Sequence, residues 1–189
     1  MSNHVNFDSE KFTNFFNEFP IPEISPIISD KLIIKLKEIS KSHSKINIIF
    51  ENIELSWLDP KDNRLGVTIF SDDFNELTRK KRLRLPFGKI KIKLHPILID
   101  DEKLYDHTLV HELLHASGII EHSDEHHRLT NEIAPSPSFS ESSVLRYLQA
   151  VMISTTEVLS WDCSKCGYIW TRNTLIKPKK CPKCDLLLE

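Results

Sequence analysis

"GKIKIKLHPILIDDEKLYDHTLVHELLHA", residues 88–116, changes its apolar period partway along. Ile90, Ile92 and Leu94 alternate with Lys89, Lys91 and Lys93, the two-residue repeat of a strand with one buried and one wet, positive face. Leu104, Leu109, Leu113 and Leu114 then recur at helical spacing, and the acidic residues just ahead of them suit a helix N-terminus. A strand, a short connector and a helix are therefore expected in succession.

Working outward, "SDKLIIKLKEISKSH" (29–43) reads as an amphipathic helix that Asp30 can cap, with Leu32, Ile33, Leu36 and Ile39 on one face. "INIIFENIEL" (46–55) and "RLGVTIF" (64–70) have strand character. Downstream, "DEHHRLTNEI" (124–133) and "ESSVLRYLQAVMISTTEVL" (141–159) read as helices separated by the breaker "APSPSFS". The fold class expected is α+β, helices around a small sheet. Upstream of it, Phe12, Phe15, Phe16 and Phe19 recur at helical spacing before Pro20, Pro22 and Pro26 break the pattern. Residues 1–28 are expected to form an N-terminal helical arm, 29–158 the main domain and 159–189 a small satellite.

A chain of 189 residues has room for one domain with a real core plus such a satellite. Its 40% hydrophobic and 28% charged residues are globular composition, and a formal net charge of −2 makes no whole-chain case for nucleic acid, so any such case rests on local charge. No basic start leads into an apolar stretch, and no run approaches the roughly 20 apolar residues of a membrane span, so a soluble intracellular protein without a membrane partner is expected.

The helical half of the opening stretch ends in "HELLHASGIIEH", 111–122. Residues four apart stack on one helix face, so His111 and His115 can both direct ring nitrogens at one ion. Glu112 is placed to reach an attacking water without being a ligand, which suits a general base. Hydrolysis at such a site needs a third protein ligand and one open position. Glu121, His122, His126 and His127 are the candidates. A histidine six residues after the second one, the metzincin pattern, is absent: Glu121 stands there. His4, His95 and His107 are expected to be packing or surface residues.

All four cysteines lie near the C-terminal end, Cys163, Cys166, Cys181 and Cys184, in the spacing C-x2-C-x14-C-x2-C. That is close to a four-thiolate zinc site, which closes the tetrahedron and is therefore structural. Gly167 suits the tight turn of a zinc knuckle, and "YIWTRNTLIKPKK" between the pairs is expected to make a short hairpin. "RKKRLRLPFGKIKIK" (79–93) carries eight cations and no acid, Lys89, Lys91 and Lys93 among them. The ribbon adds further cations interleaved with Tyr168 and Trp170, so Trp170 and Arg172 join the three lysines as candidate nucleic-acid contacts.

The strand, connector and helix of 88–116, followed by "HSDEHHRLTNEI", resemble the SprT-like, or Spartan-type, zinc metalloproteases, and the C-terminal ribbon accords with many members. Ser123 stands where that pattern has glycine, and His126 where it has an aromatic residue. The resemblance covers about residues 30–189 and implies a zincin-like domain followed by a zinc ribbon. It places His122 as the third ligand beside His111 and His115, with His126 in reserve, and one catalytic and one structural Zn2+. It further implies an endopeptidase that cleaves proteins bound or crosslinked to DNA, with DNA, single-stranded DNA included, as the recruiting partner. The alternatives are a non-catalytic nucleic-acid-binding zinc protein and a metallopeptidase with no nucleic-acid partner.

Overall fold

The computed structural model describes residues 19–42, 50–155, 160–174 and 176–188. The helix expected over 12–19 lies outside them except for Phe19, as do positions 46–49 of the first strand-like run. The chain divides into two compact units, one of residues 18–144 and one that takes up 145–189 together with 1–17.

The first unit runs through α1 (Asp30–Ser42), a 3-10 turn (Phe50–Asn52), β1 (Ile53–Trp57), β2 (Gly66–Phe70), α2 (Phe74–Leu83), β3 (Ile90–Leu94), a second 3-10 turn (Pro96–Asp100), α3 (Glu102–Ala116) and α4 (Asp124–Ile133). The sheet order is β1-β3-β2, so the alternating strand is central, parallel to β1 and antiparallel to β2. Ile90, Ile92 and Leu94 are buried as their alternation requires. Register places Ile53, Leu55 and Trp57 of β1 beside them on one flank, and Phe70, Thr68 and Gly66 of β2 on the other. That shared face is the one toward α3. The opposite face carries Lys91 and Lys93 among Glu54, Ser56, Val67 and Ile69.

Helix α3 is buried nearly all round, with Leu109, Val110, Leu113 and Leu114 fully inaccessible and Leu104, Thr108 and Ala116 close behind. A helix with that pattern belongs at the centre of its unit, and the buried Leu129 and Ile133 of α4 supply apolar partners beside the sheet. Each such leucine contributes roughly 1.5–3 kcal/mol on burial. Asp101 anchors the start of α3: one carboxylate oxygen accepts from the Leu104 amide at 3.0 Å and the other from the Ser142 hydroxyl. Ser123 caps α4 through the His126 amide at 3.3 Å.

Helix α2 begins ahead of the basic run and takes in its first five residues, 79–83. Asp73 caps it by accepting from the Glu76 amide at 2.8 Å, and Arg84 closes it in the left-handed region at φ 54°. No residue of α2 is buried, and Phe74 is 82% exposed, so no apolar stripe announced it. The first strand run is shorter than its apolar pattern, since Phe50–Asn52 forms a 3-10 turn and the strand begins at Ile53.

The second unit takes up α5 (Ser143–Ser154) from its third residue, then β4 (Ser160–Asp162) and β5 (Ile169–Thr171). These two strands pair antiparallel with Trp161 directly opposite Trp170. The hairpin expected between the cysteine pairs is thus formed around the first pair instead. The tight turn at Cys163–Gly167 reverses the chain there and brings the flanking residues into register. Among the described residues, no helix is long and apolar enough to cross a membrane.

Candidate metal centres

His111 and His115 leave α3 one turn apart, and His122 reaches them from the loop that follows. Gly118 makes this return possible: at φ +103° it ends the helix in a backbone conformation side chains disfavour, and a Cβ there would lie 3.2 Å from the Phe87 ring. The three Nε2 atoms form a nearly equilateral triangle, with edges of 3.1 Å (His111–His122), 3.2 Å (His111–His115) and 3.2 Å (His115–His122). Nitrogens about 2.05 Å from a tetrahedral zinc are about 3.3 Å apart, so the triangle has the size of a metal-ligand set.

Proton placement favours the same reading. The Nδ1–H of His115 donates to the Ile119 carbonyl at 2.8 Å, which leaves its Nε2 as a bare lone pair. Burial, reinforced by neighbouring imidazoles, pulls His111 down to about 3, and burial pulls His115 down as well. Neutral rings with converging lone pairs are what a cation needs. His122 is exposed, so the triangle opens to solvent on that side.

Of the other candidates for the third position, Glu121 and His127 are exposed and lie outside the cluster. His126 is fully buried, its ring centroid 4.3 Å from His111 and 4.4 Å from His115. Its Nε2 donates to the His111 carbonyl at 3.2 Å, so it backs the pair rather than joining it. Burial is the main reason it too is depressed, to about 4. His95 is also a packing residue, with Nδ1 accepting from the Ile97 amide at 3.1 Å and Nε2 donating to the Pro60 carbonyl at 3.0 Å.

Glu112 meets β2 with its carboxylate. It is 6% exposed, and its Oε2 accepts from the Thr68 hydroxyl at 2.7 Å. Burial pushes its carboxyl above the usual range, while that hydroxyl and the charge of Arg64 oppose the rise. The contact with Thr68 spans 44 positions and depends on the register of β2, so no local sequence pattern marks it.

The four cysteine sulfurs form the second group. Cys163 Sγ lies 3.9 Å from Cys184 Sγ, and Cys166 Sγ lies 3.8 Å from Cys181 Sγ. These separations exclude disulfides, whose sulfurs are about 2.05 Å apart, and match the roughly 3.8 Å edge of a tetrahedron with 2.3 Å metal–sulfur bonds. The two halves repeat one turn. Gly167 N donates to Cys163 O and Cys163 N to Tyr168 O; Asp185 N donates to Cys181 O and Cys181 N to Leu186 O. Gly167 and Asp185, each four residues past its cysteine, both have positive φ, 68° and 55°. The four-cysteine and three-histidine groups could each hold a metal ion.

The candidate nucleic-acid residues are distributed unevenly. Lys89 and Lys91 are exposed, Lys93 is half-buried, and Lys91 sits 3.5 Å from Glu54. Trp170 is half-buried and stacks on Tyr168 at 5.9 Å. Arg172 corrects the expectation: it is only 5% exposed, its guanidinium lies 4.9 Å over Trp161, and its Nε donates to Thr174 O at 2.9 Å. Its charge is committed to the ribbon's interior.

These features define an α+β chain with two separate candidate metal groups, one of histidines and one of cysteines. No family model, curated protein or solved structure matches it.

Proposed function

We propose that the chain is a zinc-dependent endopeptidase of zincin-like architecture that acts on proteins associated with DNA. The observation that carries this reading is the convergence of His111, His115 and His122 Nε2 on one point, open to solvent, with a buried carboxylate on the same helix. His111, His115 and His122 would hold a zinc ion, which when bound would supply Lewis acidity toward the scissile carbonyl and the attacking water. Glu112 takes the proton of that water and delivers it to the leaving amine. The ribbon's cysteines hold a second zinc whose role is to fold the ribbon.

A cavity of about 820 Å3 beside the histidine loop is the place proposed for the polypeptide. Leu85, Phe87 and Ile119 give it apolar lining, and Lys81, Arg84 and Glu121 give it charge.

DNA is proposed to meet the basic run in the same unit. Folding splits that run between the C-terminal end of α2, with Lys81, Arg82 and the capping Arg84, and the outer side of the sheet, with Lys91 and Lys93 on β3 and Lys89 just before it. Changing those three sheet lysines to glutamine is expected to flatten the salt dependence of single-stranded DNA binding by about 2 in log–log slope, at about 0.7 per phosphate contact. Titrations at a series of salt concentrations measure this, and an unchanged slope removes the sheet face from the interface.

The central test pairs elemental analysis with proteolysis of a DNA-binding protein, with and without single-stranded DNA. Two zinc ions per wild-type chain, one in the His111→Ala, His115→Ala double variant, and DNA-stimulated cleavage by the wild type alone are expected. One zinc in both proteins and no cleavage under any condition would reduce the chain to a ribbon on a histidine-rich helical domain.

A further inference from the structure

We infer that β2 is a holder for the Glu112 side chain, in which Thr68 is a positioning residue and Gly66 clears the space that Glu112 occupies. The inference rests on the peptidase reading and adds a residue pair to it.

Antiparallel register sets Gly66 opposite Leu94 and Thr68 opposite Ile92, so both turn toward α3. The Thr68 hydroxyl lies 2.7 Å from Glu112 Oε2 and 2.9 Å from the Glu112 main-chain oxygen. One hydroxyl therefore reaches both ends of the same residue and fixes the carboxylate relative to its own helix. Among the described residues no other group donates to that carboxylate, which is 6% exposed. A buried carboxylate with a single protein donor takes its orientation from that donor.

Gly66 acts on the other oxygen. A Cβ at this position would fall 2.8 Å from Glu112 Oε1, 2.9 Å from its Cγ and 2.9 Å from Thr108 Cγ2. Unlike Gly118 and Gly167, Gly66 does not have positive φ, so room rather than backbone conformation demands glycine. With Oε2 held by Thr68 and no side chain at Gly66 beside Oε1, the second oxygen is left for the proton of the attacking water.

A threonine that merely satisfied a buried carboxylate would matter to folding alone. A positioning residue matters to kcat, because misplacing a catalytic group by about 1 Å costs on the order of 100-fold in rate. Three readouts on the 189-residue, zinc-loaded chain separate the cases. Thr68→Val is expected to lower kcat about 10- to 100-fold with KM within about twofold and zinc content unchanged, and Thr68→Ser, which restores the hydroxyl, to recover most of the loss. Independently of activity, Thr68→Val and Glu112→Ala are combined in a urea-denaturation cycle, in which the valine is expected to shift the unfolding midpoint much less when Glu112 is already alanine. An active wild type with unaltered kcat in Thr68→Val overturns the holder and leaves the peptidase reading standing. Additive midpoint shifts overturn the contact itself. A wild type that cleaves nothing, with non-additive shifts, keeps the contact as a structural one and overturns its positioning role together with the peptidase reading.

Discussion

Glu112→Gln is expected to keep two zinc ions per chain and to lower kcat for peptide hydrolysis by about 10²- to 10⁴-fold, with little change in KM. The amide has nearly the shape of the carboxylate, and its oxygen can still accept from Thr68 as Oε2 does at 2.7 Å. It lacks only the capacity to take the water's proton. Because Glu112 is buried and burial disfavours its charge, a neutral replacement relieves a desolvation cost, so the thermal midpoint should match or slightly exceed the wild type. Steady-state kinetics with elemental analysis of the same preparations decide the matter. A variant that turns over at the wild-type rate removes Glu112 as the proton acceptor.

Stripping metal from the cysteine group should unfold the ribbon outright. Strands β4 and β5 have three residues each, and among the described residues the ribbon's buried side chains are few, Cys163, Cys181 and Arg172. So small a core cannot offset the chain entropy of ordering, on the order of 1–2 kcal/mol per residue, without a metal whose binding is worth about 10–16 kcal/mol in comparable sites. The chain's three tryptophans make the outcome readable by nuclear magnetic resonance. With chelator, or in Cys181→Ser, the indole signals of Trp161 and Trp170 should collapse to random-coil positions. Trp57, whose Nε1 donates to Ile24 O at 2.8 Å in the other unit, should keep its native shift. Ribbon signals that survive chelation would show that the four thiols fold it unaided.

What could be read from the sequence was whatever acts over short range. The lysine–isoleucine alternation marked the central strand, the leucine spacing marked α3, and the i, i+4 histidines marked a face that could hold a metal because a helix fixes that geometry by itself. The paired cysteines were legible for the same reason, each pair lying in its own turn. Helix α2 was not, since it buries nothing and so leaves no periodic apolar trace. Gly66 and Thr68 looked like ordinary residues of a short strand, and only the pairing of β2 with β3 gives them a partner in Glu112. Arg172 shows the limit of reading charge locally: a cation in a basic stretch can turn inward onto an aromatic ring, as this one does onto Trp161.

The contact between β2 and α3 also makes correct assembly something that metal stoichiometry cannot certify. A one-residue slip of β2 against β3 would exchange its two faces, setting Ile69 where Thr68 stands and Val67 where Gly66 leaves room. Neither histidine nor cysteine lies on that strand, so such a misregistered molecule would bind both metals and still lack a held Glu112. Fully loaded but silent molecules would then reflect an error in strand pairing, and they would be separated from the native form by backbone hydrogen exchange in β2 rather than by any assay of zinc.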